Sequence, residues 1–225
     1  MGLRGIPALA EDVITLRNLQ LARDTGVNLH ISHLSTARSL RWVKDAREQG
    51  LPVTCEVTPH HLALTDEILQ YDGNHKVKPP LRPPPDRDAL RQGIAEGWID
   101  AIATDHQPHA GSDKMQEFDR CPFGIQGLET AFALSLETLY HNHLIPLTRL
   151  LSLFTIGPAK ALGLACGRLE AGSRADIVLL NLDSWWQYDV NQSLSKSKNT
   201  PFHGRYFQGR VVMTIVDGKT VWQLG

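Results

Sequence analysis

Residues 99–109 read I-D-A-I-A-T-D-H-Q-P-H. A short apolar run, of the kind that makes a buried strand, stops on an aspartate, Asp105, and two histidines follow it, His106 and His109. A turn or a helix cap accounts for one such ending, because Asp favours both. Two runs upstream end in the same way. "VNLHISHL" (27–34) is β-like and carries His33 near its end, and "LPVTCEVTPHHL" (51–62) is β-like and closes on His60 and His61. Helical stretches separate the runs. "STARSLRWVKDAREQG" (35–50) has Ser35 as N-cap and Gly50 as C-cap, and "DRDALRQGIAEG" (86–97) is another helix. "ALAEDVITLRNLQLARDTG" (8–26) comes first, with apolar residues at helical spacing and a closing Gly26. "TDEILQY" reads as a short helix, and "HKVKPPLRPPP" (75–85) as extended chain, because its prolines exclude helix. This alternation predicts an α/β fold, a parallel sheet with helices packed outside it.

Downstream, 124–144 and 147–163 are helical, and the pattern changes after Gly163. "GRLEAGSRADIVLLNLD" (167–183) and "GRVVMTIVDGKTVWQLG" (209–225) are strand-rich, with Asp217-Gly218 at a hairpin turn. Residues 1–163 are therefore expected to form an α/β unit and residues 164–225 a small β-layer.

A hydrophobic share of 42% and a charged share of 21% place the 225-residue chain among globular proteins rather than disordered ones. A formal net charge of −1 argues against nucleic acid or an anionic membrane as partner, since both need a basic excess. Cys55, Cys121 and Cys166 form no CxxC pair, so neither a disulfide framework nor a cysteine zinc site is implied, and a reducing cytoplasmic setting is expected. No apolar run is long enough to span a bilayer. The opening "MGLRGIPALAED" has no signal-peptide core, and Ile6 stands where myristoylation needs Ser or Thr.

Parallel α/β folds build their sites at the carboxyl ends of strands. Histidine and aspartate from separate strand ends are ligands that zinc and other borderline divalent ions take. Such an ion lowers the pKa of water to near ~7, and an aspartate beside it can accept the attacking proton and pass it to a leaving nitrogen.

The runs "CEVTPHHL", "KVKPPLR", "IDAIATDHQPH" and "GIQGLET", with "GLRGIPALAED" and "HISHLST" before them and "PFHG" and "GRVVMTIVDGKTVW" after, resemble the bacterial type of dihydroorotase, within the cyclic amidohydrolases. The resemblance covers essentially the whole chain. It implies a (β/α)8 TIM-like barrel with a small β-domain, of which this chain would hold a partial barrel, the last strands only, and a C-terminal β-layer. It implies interconversion of L-dihydroorotate and N-carbamoyl-L-aspartate in pyrimidine biosynthesis, with one or two Zn2+ ions in the complete enzyme. By this match His33 is a metal ligand, and Asp105 is both metal ligand and general acid/base. His109 would hold the substrate carboxylate, a feature hydantoinases tend to lack, and Phe123 and Gly124 would meet the pyrimidine ring through backbone groups. Glu56 would stand behind the metal ligands, and His60 and His61 would be structural or support the ligands in the same way. Lys78 departs from the Asn that many relatives carry in "KVNPPLR". Lys78 and Arg82 are candidate substrate contacts, with solvated loop cations as the other reading.

The family's remaining ligands are an HxH pair on the first strand, a carbamylated lysine or aspartate on the fourth and a histidine on the fifth. They lie upstream of "GLRGIPALAED". "YHNHL" (140–144) has the HxH spacing, but His141 and His143 close a helical pattern after the last strand. The expectation is the C-terminal portion of a longer dihydroorotase, inactive alone, whose partners are a small-molecule substrate and a second copy, a complementing N-terminal half or aspartate transcarbamoylase. A hydantoinase- or allantoinase-like amidohydrolase and a non-catalytic scaffold remain the alternatives.

Overall fold

Along β2 (Val53–Val57) burial alternates residue by residue: Val53, Cys55 and Val57 are buried, Thr54 and Glu56 half-buried. A period of two is what a strand gives when one face rests on a layer of helices. The structure is a computed structural model that describes residue 2 and residues 5–225; Leu3 and Arg4 of the opening motif lie outside these. β1 (Leu29–Ile31) and β3 (Ala101–Ile102) flank β2, and both pair with it in parallel, as the alternation of runs predicts.

Helices α1 (Ala8–Thr25), α2 (Ala37–Glu48), α4 (Pro84–Ala95) and α7 (Leu147–Phe154) enclose one apolar core with the sheet. Leu19, Val43, Leu90, Ile94, Leu150 and Leu153 meet Val53, Cys55 and Val57 there. Each fully buried side chain of this kind is worth ~1.5–3 kcal/mol. At the amino end of the sheet Asp100 pairs with Arg47 and accepts the Cys55 N–H at 2.8 Å. That end is thereby closed, and the carboxyl end carries the polar side chains.

Several boundaries differ from expectation. β1 and β3 are shorter than the runs 27–34 and 99–106, because His33 (φ 58°) and Asp105 (φ 47°) turn the chain out of the ladder. The end of 51–62 is not strand but α3 (Pro59–Ala63), with Pro59 in the first turn where its missing N–H costs nothing. The same property lets α4 begin at Pro84, two residues before the expected start. "TDEILQY" holds only a single turn, Asp66–Ile68. Of the expected helix 124–144 only α6 (Ala131–Ser135) and a wider π-type continuation to His141 form. The helix expected over 147–163 breaks at Thr155 (φ −127°, ψ −90°) into α7 and α8 (Ile156–Ala161). A short α5 spans Gly111–Lys114.

A second, antiparallel sheet orders β4 (Ile177–Gln187), β5 (Tyr206–Val216) and β6 (Lys219–Gln223). Asp217 (φ 49°) and Gly218 (φ 74°) make the β5–β6 turn, the left-handed pair that a tight hairpin requires. Tyr188, Phe202 and Phe207 pack against Ile125 and Leu134 of the α/β part. Gly209 (φ 88°) permits this approach, since Leu136 Cδ2 stands where a Cβ would be. Among the described residues no helix is long and apolar enough to cross a membrane.

Candidate metal and substrate site

The turn after β1 places His33, and the turn after β3 places Asp105. Both sit in the left-handed backbone region, which costs a non-glycine residue about 1–3 kcal/mol and is held only where the surroundings over-determine it. The result is convergence: His33 Nε2 lies 3.6 Å from Asp105 Oδ1. Two donor atoms sharing a tetrahedral zinc at ~2.1 Å each would stand about 3.4 Å apart. The pair therefore fits two of the four positions around such an ion.

Glu56 holds the other side of the His33 ring. Its Oε1 lies 3.1 Å from His33 Nδ1, at ion-pair distance though out of hydrogen-bond alignment, and its Oε2 lies 3.1 Å from His30 Nε2. His30 Nδ1 in turn meets Thr54 Oγ1 at 2.8 Å. Burial pushes the Glu56 carboxyl upward, but the His30 hydrogen bond and the close approach and charges of the His30 and His33 rings outweigh it and bring the pKa down to about 2. Glu56 in turn raises the pKa of His33 against its partial burial. A carboxylate behind a ligand histidine fixes ring orientation and leaves Nε2 for the metal.

The loop that carries His33 is clamped from α1 and α4. Glu11 accepts the Ser35 N–H at 2.8 Å, the Thr36 N–H at 3.2 Å and the Ser35 hydroxyl. Asp86 accepts the Ala37 N–H at 2.8 Å. Arg82 belongs to this clamp: it is buried and donates to Ser35 Oγ (3.0 Å), the Ile6 carbonyl (2.8 Å) and Glu11 (3.4 Å). Its three guanidinium nitrogens are thus used inside the protein. Lys78 is exposed. His61 is buried, with Nδ1 on Thr58 Oγ1 (2.7 Å) and Nε2 on the Pro79 carbonyl (3.0 Å). Its neighbour His60 is buried with no hydrogen-bond partner on Nε2, and burial holds its pKa well below the ordinary imidazole value.

On the Asp105 side, Gln107 Nε2 donates to Asp105 Oδ1 at 2.7 Å. His109 Nε2 meets the Phe123 carbonyl at 2.8 Å, which requires the proton on Nε2 and leaves Nδ1 free of that bond. Gly124 has φ 119°, and Gln107 fills the place its Cβ would take, so the 105–109 and 123–126 loops can close only on a glycine. Of the expected residues, the structure brings His33, Asp105 and Glu56 together, and His109, Phe123 and Gly124 together. Reading the sequence did not single out Gln107, His30, Glu11, Ser197 or Asn199. Gln107 and His30 lie inside the quoted runs "IDAIATDHQPH" and "HISHLST" and Glu11 inside "GLRGIPALAED", whereas Ser197 and Asn199 only precede "PFHG". A cavity of ≈ 330 Å³ lies beyond His106, lined by Gln126, Glu129, Tyr188 and Ser195; His33, Asp105 and His109 do not line it. Among the described residues no group of three or more His, Cys, Asp and Glu side chains is arranged to hold a metal.

The chain is 52% identical over 222 residues to a dihydroorotase of Solibacter usitatus, which covers 98% of this chain and 52% of that protein. It is 47% identical over 225 residues to a dihydroorotase of a Geobacillus species, covering 100% of this chain and 53% of that one. The chain thus spans about half the length of the curated relatives it matches. Among solved structures, the L-hydantoinase (dihydropyrimidinase) of Arthrobacter aurescens superposes with a TM-score of 0.92 at 30% identity, over 97% of this chain and 50% of that one. The dihydropyrimidinase of Brevibacillus agri gives 0.90 at 25% identity, over 96% and 49%. The resemblance to bacterial dihydroorotases read from the motifs holds along the whole chain, and the profile of the Amidohydrolase family matches residues 5–221. The chain belongs to the amidohydrolase family.

Proposed function

We propose that the chain supplies the His33–Asp105 side of a zinc-dependent dihydroorotase site, opening L-dihydroorotate to N-carbamoyl-L-aspartate and closing it again. The observation that carries this reading is the approach of His33 Nε2 to Asp105 Oδ1 on neighbouring strand ends, in a chain 52% identical to a dihydroorotase. Residues 1–163 are then the last strands of a (β/α)8 barrel and residues 164–225 its small β-domain portion. Zinc, when bound, polarises the ring carbonyl and makes water a nucleophile near neutral pH. Asp105 accepts the proton of the attacking water and delivers it to the departing ring nitrogen as the C–N bond breaks. Gln107 holds the Asp105 carboxylate in place for both transfers. His109 takes the substrate carboxylate through Nδ1, with Phe123 and Gly124 presenting backbone groups to the ring. Glu56 orients His33, and His61 keeps the β2 end in position. Arg82 acts here on the His33 loop instead of the substrate, and of the two candidate cations Lys78 remains to meet a carboxylate.

Two ligands fall short of the three that a catalytic zinc keeps. Any third comes from outside the described residues, and a polypeptide resembling the other half of the relatives is the partner that fits. A second copy or aspartate transcarbamoylase is compatible with the open sheet edges, and a reducing cytoplasm with the free thiols. Hydantoin opening is the second reading, supported by the likeness to L-hydantoinase. The test is steady-state turnover of dihydroorotate and of hydantoin by the purified protein with zinc, alone and with the amino-terminal half of a dihydroorotase relative. Dihydroorotate should be consumed in the reconstituted sample, and Asp105→Asn should lower the rate about 10³-fold. Fast hydantoin opening without dihydroorotate turnover would reverse the assignment.

A further inference from the structure

The 188–205 segment leaves the antiparallel sheet after β4 and returns to it at β5. Between these points it touches the loops that carry His109 and Gly124. Asn199 is 4% exposed, and every hydrogen-bonding position of its side chain is used. Nδ2 donates to the Gln107 carbonyl at 2.9 Å and to the Gly124 carbonyl at 3.0 Å. Oδ1 accepts the His109 N–H at 3.2 Å and the hydroxyl of Ser197. The Asn199 carbonyl accepts the Gln126 N–H at 2.9 Å. The amide orientation follows from these partners, since turning it over would set its oxygen against two carbonyls.

We infer that Asn199, with Ser197 beside it, is a positioning residue for the substrate-carboxylate half of the site. It ties the 105–109 loop to the 123–126 loop, so that the spacing of His109 from the Phe123–Gly124 backbone is set by the β4–β5 connection. This rests on the dihydroorotase reading for what the two loops bind, but not for the tie itself. The tie also reaches Asp105, because Gln107 gives its carbonyl to Asn199 and its side-chain amide to Asp105. Lys114 reinforces one end, donating to the Pro122 and Gly124 carbonyls at 2.8 Å each. A short polar segment belonging to the second sheet thereby fixes the geometry of a site whose reacting groups come from the first. Buried amides with all their partners in place are what specify a unique loop arrangement, and removing the donors leaves carbonyls facing each other.

The experiment compares wild type with Asn199→Asp, which keeps the shape and loses both N–H donors. Amide hydrogen exchange is read in peptides covering 105–109 and 122–127, with 53–57 and 84–95 as internal references. Exchange in the first two should rise about tenfold while the references stay unchanged. No change in the loops overturns the inference, and so does an equal rise in all four peptides, which would make Asn199 an ordinary fold residue. If Asn199→Asp does not fold, Ser197→Ala is read in the same peptides, with a smaller rise confined to the two loops expected and no rise overturning the inference. Calorimetric titration with N-carbamoyl-L-aspartate, in the presence of zinc and of the amino-terminal half of a dihydroorotase relative, supplies the functional arm. Binding should weaken about tenfold in the variant at equal zinc content, and unchanged affinity overturns the positioning role. If wild type itself fails to bind, the dihydroorotase reading suffers, and the exchange result alone decides the tie.

Discussion

His33 and Asp105 show what a residue can announce from sequence and what it cannot. Their type and their place at strand ends mark them as candidate ligands. Their left-handed backbone does not show in the residue type, because nothing but the packed turn imposes it. His61 shows a third case, a histidine whose chemistry is set by burial. Burial lowers its pKa to about 4, against the raising effect of hydrogen bonds to the Pro79 and Pro80 carbonyls. Between pH 4 and the unfolded value of ~6.5 the unfolded chain binds a proton at this position that the folded chain refuses. Stability from this group is therefore complete above pH ~6.5 and is lost as pH falls toward 4, by about 3 kcal/mol in all. Urea unfolding of wild type and His61→Asn at pH 7 and pH 4.5 measures it: the acid loss should be smaller in the variant, and an identical loss would refute the assignment. Asn199 was not legible at this scale. A lone Asn in "KSKNTPF" looks like any loop residue, and its meaning lies in contacts to residues some 75 to 92 positions away.

At the scale of elements, the start of α2 decides how His33 is held. Ser35 is the expected N-cap, but Thr36 holds that place: it has extended backbone (φ −117°, ψ 143°), and its Oγ1 accepts the Ser39 N–H at 3.1 Å. Ser35 is drawn away by Glu11, a partner 24 positions earlier that local sequence does not reveal. Thr36 Oγ1 also donates to Asp12, which is buried at 1% exposure, so the cap ties α1 to α2. Thr36→Ala should cost about 1–2 kcal/mol in urea unfolding, the upper part of the range because Asp12 loses a partner. A cost below about 0.3 kcal/mol would mean that the clamp does not depend on this cap. Helices and strands themselves were legible, since periods of 3.6 and 2 survive in single sequences. Their ends were less so: strand ends depend on where the ladder is abandoned, and prolines turned out to open α3 and α4.

Over the whole molecule, the two sheets leave different surfaces. The outer edges of β1 and β3 are unpaired among the described residues, and α1 exposes Leu9, Val13, Ile14 and Leu21. Unpaired edges and apolar patches of this kind are surfaces that other chains cover. The parallel order of the sheet was legible from the alternation of runs, whereas the docking of the second sheet through Phe202 and Phe207 was not, because no local pattern encodes which aromatic meets which core. The three cysteines report on this organisation separately. Cys55 lies at 0% exposure in the first core, where burial pushes its thiol up to about 12. Cys121 is buried in the loop region beside Lys114, and Cys166 is exposed in the segment that joins α8 to β4. Only a thiolate in contact with solvent reacts with a disulfide reagent. Native titration with an aromatic disulfide should therefore release one equivalent rapidly, and denatured protein three. A second fast equivalent, traced by mass spectrometry to Cys121, would mean that the 111–124 loop opens on the timescale of the assay. The tie between the loops holding His109 and Gly124 would then be one that opens and closes instead of standing preformed. Reaction at Cys55 would contradict the packing of the parallel sheet itself.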